Sequence, residues 1–111
     1  MGYAKRIDRN QNEIVKVLRQ LGCSVYVTSG VGDGFTDIVF GLCGLNFLGE
    51  IKDGRKPPSA RKLTPKEQKF HDEWKGQVCI LESIEQAIAF VNGVRKESGK
   101  PMLQGISACT N

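Results

Sequence analysis

Asp37 and, thirteen residues later, the Glu50-Ile-Lys52 triplet hold the side chains of this chain best suited to chemistry. Two carboxylates offer hard oxygen ligands to a divalent cation. A neighbouring lysine can orient or deprotonate a water and neutralise developing negative charge. Such a set activates water for hydrolysis, provided that the fold brings its members together. Asp37-Ile-Val-Phe40 is rich in β-branched and aromatic residues, and Leu45 to Lys52 follows a Gly41-Leu-Cys-Gly44 turn, so both stretches read as strands of a hairpin. The head of the first strand then lies beside the tail of the second, within reach of Glu50 and Lys52. Alternation along the second strand points Glu50 and Lys52 one way and Ile51 into the core. The bland alternative is a solvated cluster of ion pairs at a strand end.

The rest of the chain has to hold that hairpin. At 111 residues it is one small domain, long enough for a single core. Hydrophobic residues make up 40% and charged residues 25%, as in ordinary globular proteins, and no apolar run approaches the length of a membrane span. No signal-peptide core precedes the domain, which suggests a cytoplasmic protein. Cys23, Cys43, Cys79 and Cys109 form no CxxC pair, so neither a zinc site nor a disulfide framework is indicated. The net charge of +4 leans toward a polyanionic partner.

Asp8 with Gln11 resembles a capping box, and Ile14, Val17, Leu18 and Leu21 make the apolar stripe of a first helix that Gly22 stops. Glu13, on the border of that stripe, either looks toward the sheet edge or is solvated. Ser24 to Thr28 is a first strand. The glycine-rich Ser29-to-Gly34 segment lacks the lysine and spacing of a phosphate-binding loop and reads either as a loop that brings backbone close to a ligand or simply as a flexible turn. After the hairpin, Arg55, Lys56, Arg61, Lys62 and Lys66 fall in a Pro-interrupted stretch that leaves directly from Lys52. A basic loop placed there suits the phosphate backbone of a nucleic acid. Thr64-Pro-Lys-Glu67 opens a second helix with N-cap, N1 proline and N3 glutamate. Its spacing puts Glu67 on one face with Phe70 and Trp74, and Gln68 on a flanking face with His71 and Asp72. His71 reads as structural or surface-lying. Val78 to Leu81 is a fourth, apolar strand of the buried kind. Ser83 with Gln86 caps a last helix bearing Ile84, Ala87, Ile88 and Val91. From Gly93 onward the pattern lapses, giving a domain over 1–93 and a tail over 94–111. The expected fold is α/β, in the order α-β-β-β-α-β-α, with a mixed four-stranded sheet flanked by helices.

This order, with Gly34-Phe-Thr-Asp37-Ile, Gly49-Glu-Ile-Lys52 and the Leu63-to-Trp74 helix, resembles the PD-(D/E)XK nuclease superfamily, whose core is restriction-endonuclease-like. Within it the chain is most similar to the VRR-NUC (virus-type replication-repair nuclease) family, especially its small stand-alone phage and bacterial members. The likeness extends from about Asp8 to Asn92. Thr36 stands where the PD element has proline, and the family's active-site glutamine falls at Glu67 by the aromatic register, with Gln68 one residue off. The resemblance implies Mg²⁺ or Mn²⁺ bound by Asp37, Glu50 and the Ile51 carbonyl, with Glu13 reaching in from the first helix. It implies Lys52 as the residue that orients or deprotonates water, with Glu67 or Gln68 beside it. Further implied are a homodimer that cuts branched DNA, foremost four-way (Holliday) junctions, into 5′-phosphate and 3′-hydroxyl ends, and a bacterial or phage-infected cytoplasm. The alternatives are a nuclease selective for flaps or single strands and a nucleic-acid-binding module that has lost catalysis.

Overall fold

In a computed structural model the described residues are 9–102, with side chains to 99. The expected Asp8 cap and the residues after Met102 lie outside them. Three helices, α1 (Arg9–Gln20), α2 (Pro65–Glu73) and α3 (Ile84–Met102), accompany four strands: β1 (Ser24–Val27), β2 (Ile38–Leu42), β3 (Leu45–Ile51) and β4 (Val78–Leu81). The sheet order is β1-β2-β3-β4. The first three strands are antiparallel neighbours, and β4 returns parallel to β3. The expected α/β architecture, with its mixed four-stranded sheet and element order, is therefore present. Among the described residues no helix is long and apolar enough to cross a membrane.

Strand alternation divides the sheet into two unequal faces. Val25, Ile38, Phe40, Phe47, Ile51 and Leu81 share the face on which α1 and α3 pack, and with Ile14, Leu18, Ala87 and Val91 they form the core. Phe40, Phe47 and Phe90 meet there with ring centroids 5.0–5.7 Å apart. Glu50, Leu48 and Ile80 belong to the opposite face. That face is thinly covered: Tyr26 is 74% exposed and α2, which stands over it, buries none of its own residues completely. The site grows from this second face.

Three expectations are corrected. The β2–β3 turn is Cys43-Gly44 alone, both at positive φ (56° and 77°), while Gly41 and Leu42 stay in β2. A two-residue loop with both φ positive matches the twist of the flanking strands, which is why it prevails over a four-residue turn. β4 is an edge strand whose Ile80 is 41% exposed, not a fully buried one. Finally, α3 does not lapse at Gly93 but continues to Met102. Val94 packs against the core and Ser98 is buried, so the inward spacing of Ala87 and Val91 persists beyond an exposed glycine. A glycine on the solvent side of a helix costs only about 1 kcal/mol, too little to end it.

Candidate active site

The β2–β3 register pairs Ile38 with Gly49, and the ladder runs one step further through the Asp37 N–H, which donates to the Gly49 carbonyl at 3.0 Å. Asp37 is thereby fixed just ahead of β2, its own carbonyl accepting from the Thr28 N–H at 2.7 Å. Its carboxylate turns back across the hairpin, and Oδ2 accepts the Ile51 N–H at 2.8 Å. That single bond places Asp37 against the Glu50–Lys52 segment.

Among the described residues Glu50 is the most enclosed charged one, with 2% of its surface exposed. Burial, then the adjoining carboxyls of Asp37 and Glu67, push its pKa up to about 9, so it is protonated at neutral pH in the absence of a cation. Its Oε1 is buried without a hydrogen-bond partner. Lys52 Nζ lies 3.8 Å from Glu50 Oε2 and 2.8 Å from Glu67 Oε1. Burial works against the ammonium charge, but the bond to Glu67 and the fields of Glu67, Glu50 and Asp37 outweigh it and raise the Lys52 pKa. Lys52 is thus a cation here. Glu67, although its burial opposes ionisation, is held below the usual carboxylate range by Lys52 and by the Thr64 N–H.

The choice between Glu67 and Gln68 is resolved by these contacts. Glu67 reaches Lys52, whereas Gln68 is exposed and donates to Asp72 Oδ1 at 2.8 Å along the helix surface. Gln68 is therefore corrected out of the set. The capping box accounts for this, since a glutamate at N3 must fold back over the helix start, on the side facing Lys52. Glu13 is also not brought to Asp37 and Glu50. It lines a cleft with Asn10, Arg55, Arg61, Glu82 and Ser83, while the first turn of α1 presents the amides Asn10 and Gln11 toward the strand ends. Helical phase decides this: Asn10, Gln11, Ile14 and Leu18 share the buried side, with Glu13 at its margin.

The basic loop holds a short 3₁₀ turn, Pro58–Ala60, and splits into two groups. Arg61 is engaged with the Lys56 carbonyl and Glu82, Arg55 with Asp53, and Lys66 with Asp33. Lys56 and Lys62 are exposed and outside the ion pairs of the described residues. His71, expected to be structural or surface-lying, lies one turn after Glu67 with its Nε2 buried and without a partner. Burial lowers its pKa against the pull of Glu67 and Asp72.

Among the described residues no three His, Cys, Asp or Glu side chains form a ready-made metal cage. The donor set nonetheless fits Mg²⁺ or Mn²⁺, which take one or two carboxylates and complete their shells with water and phosphate oxygens. The orphaned Glu50 Oε1 and the proton forced onto that carboxyl are what a bound cation would relieve. Compared with protein-family models, curated proteins and solved structures, the chain finds no match.

Proposed function

We propose that the protein is a divalent-cation-dependent DNA endonuclease of the PD-(D/E)XK kind, built like the VRR-NUC family. The observation that carries this reading is the juxtaposition of Asp37, Glu50 and Lys52 at one strand end, with Asp37 bonded to the Ile51 N–H and Glu50 Oε1 left unsatisfied. A carboxyl buried with an oxygen left unbonded costs stability, and such groups concentrate where they are used.

Asp37, Glu50 and the Ile51 carbonyl would hold Mg²⁺ or Mn²⁺. When bound, such a cation lowers the pKa of water and draws charge from a phosphate oxygen. In hydrolysis the water oxygen bonds to phosphorus and the P–O3′ bond breaks. The two water protons are shared between the new 5′-phosphate and the 3′-hydroxyl leaving group. Lys52, kept protonated by Glu67, serves as a donor that orients the water and neutralises charge on phosphorus, and not as a base. Glu67 holds that ammonium in place. Lys62 and Lys56, exposed on the loop that follows Lys52, would meet the DNA backbone. The substrate proposed is branched DNA, foremost a four-way junction cut by a homodimer, since a two-fold dimer offers two sites to two symmetry-related strands.

The test is a panel of labelled junction, flap, duplex and single-strand DNA incubated with Mn²⁺. Cutting of the branched substrates, abolished in Lys52→Ala and Glu50→Ala, is the expected result. Cation-independent cutting, or full activity in either variant, would refute the reading. Tight binding without product would make the protein a binding module, and preference for flaps or single strands would replace the junction assignment.

A further inference from the structure

Two adjacent amides at the start of α1 contact both strand ends that carry the site. Asn10 Nδ2 donates to the Lys52 carbonyl at 2.7 Å and to the Glu82 carbonyl at 3.2 Å. Gln11 Nε2 donates to Ser29 Oγ at 3.1 Å, and that hydroxyl lies 3.4 Å from the Asp37 carbonyl as donor. Both amides are buried, 4% and 6% exposed, on a helix side otherwise given to Ile14, Val15 and Leu18. A buried amide is tolerated only where its hydrogen bonds are made, and these are made to residues 42 and 18 positions away. Leucine at either position would extend the apolar stripe but take the donor away from the Lys52 and Glu82 carbonyls or from the Ser29 hydroxyl, so the core does not call for the amides.

Their partners do. β3 and β4 part company just past Ile51 and Leu81, where Lys52 N–H still reaches the Leu81 carbonyl and Gly54 N–H the Glu82 carbonyl. Asn10 bridges the two carbonyls, Lys52 and Glu82, at that fork. On the other side of Asp37, β1 ends at Val27, and Ser29 begins the loop that leads back to β2. Gln11 ties that loop to α1. One helical turn therefore fixes the backbone of Lys52 and, through Ser29, that of Asp37.

We infer that Asn10 and Gln11 are positioning residues that set the spacing between Asp37 and the Glu50–Lys52 segment from the first turn of α1. This rests on reading Asp37, Glu50 and Lys52 as the functional site, but the spacing itself has a reporter that needs no activity. The Ile51 N–H, bonded to Asp37 Oδ2, sits between the two clamped carbonyls. The Phe40 amide, in the middle of the same sheet, reports global opening.

The experiment measures amide hydrogen exchange of the full chain without metal, in wild type, Asn10→Leu, Gln11→Leu and Ser29→Ala. Exchange at Ile51 should quicken about tenfold relative to Phe40 in the two α1 variants and less in Ser29→Ala, whose bond is long. Mn²⁺ affinity, measured by calorimetry with the metal alone, should fall about tenfold in parallel, the usual cost of removing a partner that orients a ligand. In the DNA assay turnover should fall with KM little changed. Equal loss of protection at Ile51 and Phe40 would make the amides merely structural and overturn the inference. Ser29→Ala, at an exposed position, keeps the test valid should an α1 variant fail to fold. Selective loosening of Ile51 in a protein that binds no Mn²⁺ and cuts no DNA would sustain the clamp and refute the nuclease reading instead.

Discussion

Lys52 Nζ donates to Glu67 Oε1 at 2.8 Å, and the same oxygen accepts the Thr64 N–H at 2.9 Å, so one atom both caps α2 and holds the site lysine. The Thr64 hydroxyl completes the box by accepting from the Glu67 N–H. α2 is thus tied to the end of β3 through its first turn, while further along Phe70 meets Phe35 of the loop before β2 edge-on at 5.2 Å and stacks on Trp74 at the end of α2 itself at 5.1 Å. The ion pair is partly open, its side chains 15% and 18% exposed, and its contribution is on the order of 1 kcal/mol, well short of a fully buried pair.

Separate substitutions can divide the two duties of Glu67. Glu67→Gln keeps a side chain able to cap and loses the charge, so it should cost about 1 kcal/mol or less. Glu67→Ala loses cap and ion pair together and should cost about 1–2 kcal/mol. Urea unfolding of both variants checks this. Equal losses would show that the capping bond contributes nothing.

Much of this was legible because local rules and tertiary packing agree. Thr64-Pro-Lys-Glu67 specifies its own helix start, and the alternation through Glu50, Ile51 and Lys52 puts Ile51 in the core as its pattern requires. What escaped depends on contacts far apart in sequence. Asn10 and Gln11 look like ordinary polar residues of a helix start, and only a bond across 42 positions reveals Asn10. Glu13 and Gln68 have suitable chemistry but the wrong helical phase by a residue or two, below what apolar spacing resolves. The continuation of α3 was hidden because Val94 and Ser98 are a sparse signal after Gly93.

The division of the basic loop makes Lys62 and Arg61 differ in effect. Lys62→Gln should weaken DNA binding uniformly across sequences and reduce its log–log salt slope by about 1, as for one phosphate contact. Arg61→Gln breaks bonds to the Lys56 carbonyl and Glu82, so it should chiefly loosen the loop. Its salt slope should change less than that of Lys62→Gln. Binding titrations from 50 to 200 mM salt compare the two, and the reverse order would place the phosphate contact at Arg61.

Gly34 is where the loop before Asp37 meets α2. Its φ is +80°, and a Cβ there would come within 2.5 Å of the Lys66 carbonyl oxygen, which is main chain and cannot swing aside. Gly34→Ala therefore combines an unfavourable backbone region with a steric clash and should cost roughly 2 kcal/mol or more. Thermal unfolding measures the loss. Within the DNA assay the variant should also lower turnover, because Gly34 stands three residues before Asp37 and the Lys66 backbone it meets leads directly into Glu67. A variant as stable as wild type would mean that α2 shifts freely on the sheet.

Glu50 should make the cation-free protein less stable as pH rises. Folded, it binds its proton up to about pH 9, whereas an ordinary glutamate releases it near 4.5, so its stabilising contribution is complete below that lower value. The contribution drains away as pH climbs toward about 9, because through that window the folded state holds a proton that the unfolded chain has released. Glu67 acts in the opposite sense, but lower: its depressed pKa contributes above the ordinary carboxylate range and is lost only in acid. His71, lowered by burial, also opposes the trend, below its usual 6.5, and the raised thiols of Cys23 and Cys79 add to it near 9. The clean window is therefore pH 7 to 8.5. There the melting temperature of the wild type should fall with pH, and Glu50→Gln, which cannot ionise, should flatten the slope and melt higher at pH 8.5. Saturating Mn²⁺ should stabilise the wild type more at pH 8.5 than at pH 7, since binding must displace the Glu50 proton, and should not do so in Glu50→Gln. Parallel melting curves for the two proteins, with and without Mn²⁺, would show that Glu50 carries neither the buried proton nor the cation.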